Sequence, residues 1–391
     1  MSKTFKTFIK HTAKDYHNQS VNPPIVRAST IIFKSMQDIR KMQDKAKKDP
    51  TGGHFDYGRQ GTSTTHILSQ ILKEIEEAYH VFLTPTGFGA VFLSIFSVLR
   101  PGDEIIVADP TYSPTRSLTQ DFLKEFNIKS TFYNPHDLKT LEKSITKKTK
   151  LIFVENPGSN TFDFQDLGKI VSIAKKNKVL TAIDNTWGTP YFLKPIKLGF
   201  DMSIVSATKY YSGHSDVMGG TLAVNKKVFK QVEKANRVTG LRLGPDDAYL
   251  ITRGLRTLDI RLDKHEKNAK SVSEFLSKYK NIKLLYPYKK DSLNFRMWKK
   301  YYSGASGLMG IMIKSKNKSS VIKFVNSLKL FGYGYSWGGF ESLALYQDKR
   351  EQGNRQYLKL ANDEHLVRLH IGLEDPKDLI EDLKKSLKFI K

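Results

Sequence analysis

Hydrophobic and polar positions change their rhythm near residue 64. Before it, residues 1–60 are polar and irregular, with "NPP" at 22–24 and "DPTGGHFDYG" at 49–58. This reads as an extended arm and a loop with no core of its own. After it, "THILSQILKEIEEAYH" sets Ile67, Leu68, Ile71, Leu72, Ile75 and Tyr79 on one helical stripe, with Lys73, Glu74, Glu76 and Glu77 on the opposite, solvated side. Short apolar runs bounded by turn residues follow: "HVFLT", "EIIVAD", "LIFVENP", "VLTAID", "DMSIVSA" and "GTLAV". Helical stretches such as "GAVFLSIFSVLR" and "LGKIVSIAKKN" lie between them. Continuous apolar strands alternating with helices predict an α/β fold, with a mostly parallel sheet covered on both faces. A long helical region is expected over roughly 246–278. Strands ("GLMGIMIK", "HLVRLHIG") and helices ("SSVIKFVNSLKLF", "PKDLIEDLKKSLKFI") then return and predict a smaller C-terminal α/β domain. The boundaries expected are an arm and intersubunit loop over 1–60, a ligand-binding domain over 61–255 and a C-terminal domain over 256–391.

Composition narrows the function classes. The 391 residues are 39% hydrophobic, which suits a globular protein with a large core. No apolar run approaches a membrane span, and the first twenty residues lack a signal-peptide core. A cytoplasmic, membrane-free protein is expected. The absence of cysteine excludes disulfides, thiolate zinc sites and a catalytic thiol. The formal net charge of +25 raises the possibility of a nucleic-acid partner. The basic runs, however, are short and scattered and carry Asp and Glu among them. They read as solvated faces, and no specific nucleic acid is expected. The histidines lack metal-ligand spacing, so no metal is expected.

Ligands of such a sheet bind beyond the carboxyl ends of its strands, and three candidates fall there. "TPTGFGA" opens a helix after a strand, and its backbone N–H groups at Gly87 and Phe88 suit an anion. Asp184 ends a buried strand, where a carboxylate needs a partner. Lys209, in "SATKYYSGHSD", stands just past another strand end. Each alone is ambiguous: a turn, a capped acid, a snorkelling surface lysine. Together they fit one ligand, pyridoxal 5'-phosphate, with its phosphate at Gly87 and Phe88, its ring nitrogen at Asp184 and its aldehyde on Lys209. Tyr112, after "IIVAD", could stack on the ring. Ser212, His214 and Asp216 spell a compressed hydrolytic triad, but triads are assembled from distant positions, so these read as turn residues.

These segments resemble the Cys/Met-metabolism family of pyridoxal-phosphate enzymes, which includes cystathionine synthases and lyases. "YGRQGTSTTHIL", "TPTGFGA", "VENPGS", "AIDNTW", "SATKYYSGHSD", "SWGGFESL" and "VRLHIGLEDPKDLI" align in order over nearly the whole chain. The resemblance implies an aspartate-aminotransferase-like (fold type I) architecture and a homotetramer whose subunits share active sites. It implies Lys209 as the Schiff-base lysine and proton shuttle, Asp184 at the ring nitrogen, and Tyr112 stacked on the ring and able to return a proton. Gly87, Phe88, Ser206 and Thr208 would hold the phosphate, with Tyr57 and Arg59 reaching to the neighbour's site. Arg368 would clamp the substrate carboxylate beside Ser336 and Trp337. The forms Tyr57-Gly58-Arg59-Gln60-Gly61-Thr62 and Ser336-Trp337-Gly338-Gly339 resemble the bacterial β-lyase branch, which turns cystathionine into homocysteine, pyruvate and ammonia. γ-Synthase, γ-lyase or cysteine/cystine β-lyase chemistry remains the alternative at this stage.

Overall fold

The computed structural model describes residues 4–13, 19–288, 292–348, 355–357 and 359–390. Parts of the expected N-terminal arm, 1–3 and 14–18, lie outside them. The apolar runs build a seven-stranded sheet of β1 (His80–Thr84), β2 (Glu104–Ala108), β3 (Lys129–Tyr133), β4 (Thr149–Glu155), β5 (Leu180–Asp184), β6 (Met202–Ser206) and β7 (Gly220–Val224). Their spatial order is β1-β7-β6-β5-β4-β2-β3. The five strands from β6 to β3 are parallel, while β7 runs antiparallel to both β6 and β1. β1 therefore points the same way as β6, and the carboxyl ends of β1, β2, β4, β5 and β6 share one edge.

Alternation along each strand explains why the runs are apolar throughout. Ile106, Ile152, Val154, Ile183 and Val205 face one core with Leu68, Leu72 and Ile75 of the helix Ser63–Glu76. Ile105, Val107, Leu151, Phe153, Ala182 and Ile204 face the other, with Ala90, Val91 and Leu93 of the helix Gly87–Phe96. Both faces are dry, as a parallel sheet requires. A second sheet, entirely antiparallel, has the order β10-β11-β9-β8, from β8 (Ile282–Leu285), β9 (Leu308–Lys314), β10 (Leu343–Gln347) and β11 (Glu364–His370).

Two sequence expectations, about the first sixty residues and about Glu76, are corrected. The stretch read as irregular contains a 13-residue helix, Met36–Lys48, started by Ser35, whose hydroxyl accepts from the Asp38 N–H. It buries no residue, so its polar composition hid a helix that capping and helix-forming residues sustain. The arm also contributes to the core: Ile9 is fully buried, and Lys10 bonds both oxygens of Asp259 at 2.7 Å. Glu76 faces inward rather than to solvent. It accepts from the hydroxyls of Tyr211 (3.0 Å) and Ser203 (3.3 Å), which supply the partners a buried carboxyl needs. The long helical region is two helices, Pro245–Leu255 and Leu258–Leu276, parted at Arg256–Thr257.

Candidate active site

Five strand ends deliver side chains to the shared edge. β1 leads into the turn whose Thr86 hydroxyl accepts from the Gly89 N–H at 2.9 Å and starts the next helix. Gly87 is required there, because a Cβ on it would lie 2.4 Å from the Ser206 hydroxyl at the end of β6. The turn thus presents backbone N–H groups beside a serine hydroxyl, a cradle for an anion at a helix N-terminus. Phe88 follows, partly exposed. Thr208 accepts from the Gly219 N–H at 3.0 Å and so ties the lysine turn to the start of β7.

Asp184 ends β5. Its Oδ1 accepts from the Thr186 N–H at 2.9 Å, and the Thr186 hydroxyl accepts from the Ser206 N–H. Burial pushes the Asp184 carboxyl up, while Thr186 and Lys209 favour its charged form. Its register partner across the ladder is Glu155, the last residue of β4. The Glu155 carboxylate oxygen Oε2 accepts from the Tyr112 N–H at 2.6 Å and the Thr111 hydroxyl at 3.3 Å. Burial, then Asp184, pushes Glu155 well above the usual carboxylate range. The two carboxyls oppose each other's charge; Lys209 favours it on Asp184, while Arg355 favours it on Glu155. The sequence reading assigned Glu155 no role, although "VENPGS" places it at a strand end by the same rule that found Asp184.

Lys209 lies three residues past β6. Its Nζ donates to Ser336 Oγ at 2.6 Å and sits 5.6 Å from the centre of the Trp337 ring. Burial, with Arg368 close by, lowers its pKa to about 8 against the pull of Asp184. Arg368, on β11, donates from Nη2 to the Ser336 carbonyl at 2.9 Å. Ser336 is held at φ +76°, an uncommon conformation for a residue with a side chain. Tyr112 is half exposed, and its phenol feels Glu155, Asp184 and Arg368. The edge of the first sheet and the strand end of the second therefore converge on Lys209, Asp184, Tyr112, Ser336, Trp337 and Arg368.

Tyr57 and Arg59 occupy another neighbourhood. Tyr57 is exposed, Arg59 stands 5.7 Å over its ring, and Arg59 donates to the Arg237 carbonyl at 3.4 Å. Ser212 donates to the carbonyls of Thr208 and Lys209, and Nδ1 of His214 meets the Ser212 carbonyl. Both are engaged with the backbone of the turn.

A mostly parallel sheet whose strand ends gather an anion cradle, a buried carboxylate and a lysine of lowered pKa defines a fold-type-I pyridoxal-phosphate enzyme. The donor set fits that cofactor, since the side-chain-free Gly87 turn lies directly against the Ser206 hydroxyl, at the same sheet edge as Asp184 and Lys209. The model of the Cys/Met metabolism PLP-dependent enzymes matches residues 6–388, and the chain belongs to that family. It is 36% identical over 371 residues to a cystathionine β-lyase of Bordetella avium, covering 94% of this chain and 92% of that one. It is 34% identical over 376 residues to an L-alanine/L-glutamate racemase of Wolbachia pipientis, covering 94% and 92%. A cystathionine γ-synthase from Xanthomonas oryzae pv. oryzae has the same fold, with a TM-score of 0.89 at 28% identity over 100% of this chain and 99% of that one. Among the described residues no helix is long and apolar enough to cross a membrane.

Proposed function

We propose that the protein is a carbon–sulfur lyase that cleaves the Cβ–S bond of L-cystathionine, giving homocysteine, pyruvate and ammonia. The observation that carries this reading is the Lys209 amine, held between Ser336 and the Trp337 ring beside Arg368. An amine of lowered pKa beside an arginine able to bind a carboxylate supports removal of the proton α to that carboxylate. The β-lyase form of "SWGG" and a cystathionine β-lyase among the relatives support β- over γ-elimination.

In this reading Gly87, Phe88, Ser206 and Thr208 hold the cofactor phosphate, and Asp184 pairs with the ring nitrogen. When bound, pyridoxal phosphate supplies the electron sink for charge that develops at the substrate Cα. Arg368 binds the substrate α-carboxylate bidentately, and Ser336 orients the Lys209 amine. Lys209 takes the Cα proton. The Cβ–S bond then breaks, its electron pair leaves on sulfur, and Lys209 or Tyr112 returns a proton to the thiolate. The released three-carbon enamine takes up water to give pyruvate and ammonia. Glu155, protonated, buttresses Asp184 and the Tyr112 backbone. Tyr57 and Arg59 complete the active site of a neighbouring subunit in a homotetramer, with residues 1–60 as arm and intersubunit loop, 61–255 binding the cofactor and 256–391 forming the second domain. The working compartment is the cytoplasm.

The test is the keto acid formed from cystathionine by the purified holoenzyme. Pyruvate is expected. 2-Oxobutyrate would overturn the reading in favour of γ-elimination, and racemised alanine or glutamate without keto acid would overturn it in favour of racemisation.

A further inference from the structure

Behind the turn that carries Ser336 lie two buried histidines for which the proposed chemistry has no use. His370 ends β11, two residues beyond Arg368, and His265 belongs to the helix Leu258–Leu276. Their ring centres are 5.2 Å apart. Nε2 of His370 lies 3.1 Å from the Gly338 nitrogen and 3.1 Å from the Gly339 carbonyl oxygen. An amide nitrogen only donates and a carbonyl only accepts, so in either neutral tautomer this ring nitrogen ties down one of the two glycines. Burial keeps the ring neutral, lowering its pKa to about 4. His265, in turn, donates from Nδ1 to the Ile371 carbonyl at 2.8 Å, fixing the chain just beyond His370. The Tyr210 ring fills the remaining space, 5.3 Å from His265, 6.0 Å from His370 and 5.5 Å from Trp337.

The turn needs such a tie. Ser336 and Gly338 both have positive φ, +76° and +90°. A Cβ on Gly338 would lie 2.9 Å from the Lys209 carbonyl carbon and 2.9 Å from the Tyr210 nitrogen, so the turn is pressed onto the backbone of the lysine itself. Backbone held in a sparsely populated region persists only when its surroundings over-determine it. Arg368 holds one end of this turn through the Ser336 carbonyl, and His370 holds the other.

We propose that His370 is a positioning residue. It seats the Ser336–Gly339 turn against Lys209 and so sets affinity for the substrate carboxylate without touching substrate. The inference rests on the proposed function, because it takes Arg368 and Ser336 as the carboxylate site.

The experiment compares His370→Gln with His370→Asn in the cofactor-loaded enzyme. A glutamine amide reaches about as far as Nε2, whereas an asparagine amide reaches only as far as Nδ1. His370→Asn is expected to raise KM for cystathionine about tenfold, the weight of one lost hydrogen bond, with kcat changed less. His370→Gln is expected to stay within about threefold of the native KM. Cofactor absorbance and melting temperature report folding separately. Equal effects of the two substitutions, or a fall in kcat at unchanged KM, would overturn the proposal. If the asparagine chain does not fold, the glutamine chain decides alone, since a tenfold rise in its KM refutes the tie. A native enzyme that forms no keto acid sinks the proposed function instead, a result distinct from either.

Discussion

The amine of Lys209 donates to the hydroxyl of Ser336 at 2.6 Å, across 127 residues of chain and between two different sheets. Lys209 follows the carboxyl edge of the first sheet, while Ser336 is held by an arginine of the second. In the proposed mechanism, proton transfer and substrate binding therefore meet at one contact between two halves of the fold.

Lys209→Ala should abolish the visible absorbance of the cofactor–lysine linkage together with turnover. The loss in kcat is expected to be at least ~10²–10⁴-fold, the usual contribution of a positioned base. An absorbance spectrum and a keto-acid assay on the same sample check it, and normal turnover by the alanine variant would remove Lys209 from the mechanism.

Arg368→Ala should act mainly on binding. Truncating one partner of a buried charge pair costs about 2–5 kcal/mol, so KM should rise by about 30-fold or more. Steady-state kinetics with cystathionine give the split, and an unchanged KM would take the carboxylate clamp elsewhere.

The two strand-end carboxyls should respond differently to amide replacement. Asp184→Asn removes a charge that faces Lys209 and should lower kcat by ~10²-fold or more. Glu155→Gln replaces a carboxyl that burial and Asp184 push towards its neutral form, and Gln can still accept from the Tyr112 N–H. Its kcat should remain within about threefold. Equal losses would mean that Glu155 carries the functional charge.

Glu76 should make stability fall as pH rises. Burial raises its pKa in the fold to about 7, from 4.5. Between those values the folded state keeps a proton that the unfolded chain has released, so stability declines across that window and the contribution is gone above pH 7. The change amounts to about 3 kcal/mol. Glu76→Gln, which cannot ionise, should flatten melting temperature between pH 5 and 7.5, and an unaltered slope would assign the effect to another group.

Much of the site was legible because strand ends are legible. "AIDNTW", "DMSIVSATK" and "TPTGFGA" show where an apolar run stops, and the topology collects such stops on one edge. Strands that lacked an apolar run escaped notice. β3, "KSTFY", pairs with β2 at the sheet edge and has an exposed start, so its hydrophobic signal is weak. Glu76 was assigned to solvent because a helical wheel knows only its own helix, while the Tyr211 hydroxyl that accommodates its carboxyl comes from 135 residues away. His370 looks like any strand residue in "VRLHIG" until the turn at Gly338 is folded onto it.

The division of labour between the sheets has a thermal consequence. The anion cradle, Asp184 and Lys209 belong to the first sheet, whereas Arg368 and Ser336 come from the second sheet and the turn leaning on it. Loosening of the second sheet alone would leave a yellow protein that no longer recognises its substrate. On gentle heating, affinity should therefore fade before colour does, and the interval between the two would measure how tightly the halves are seated.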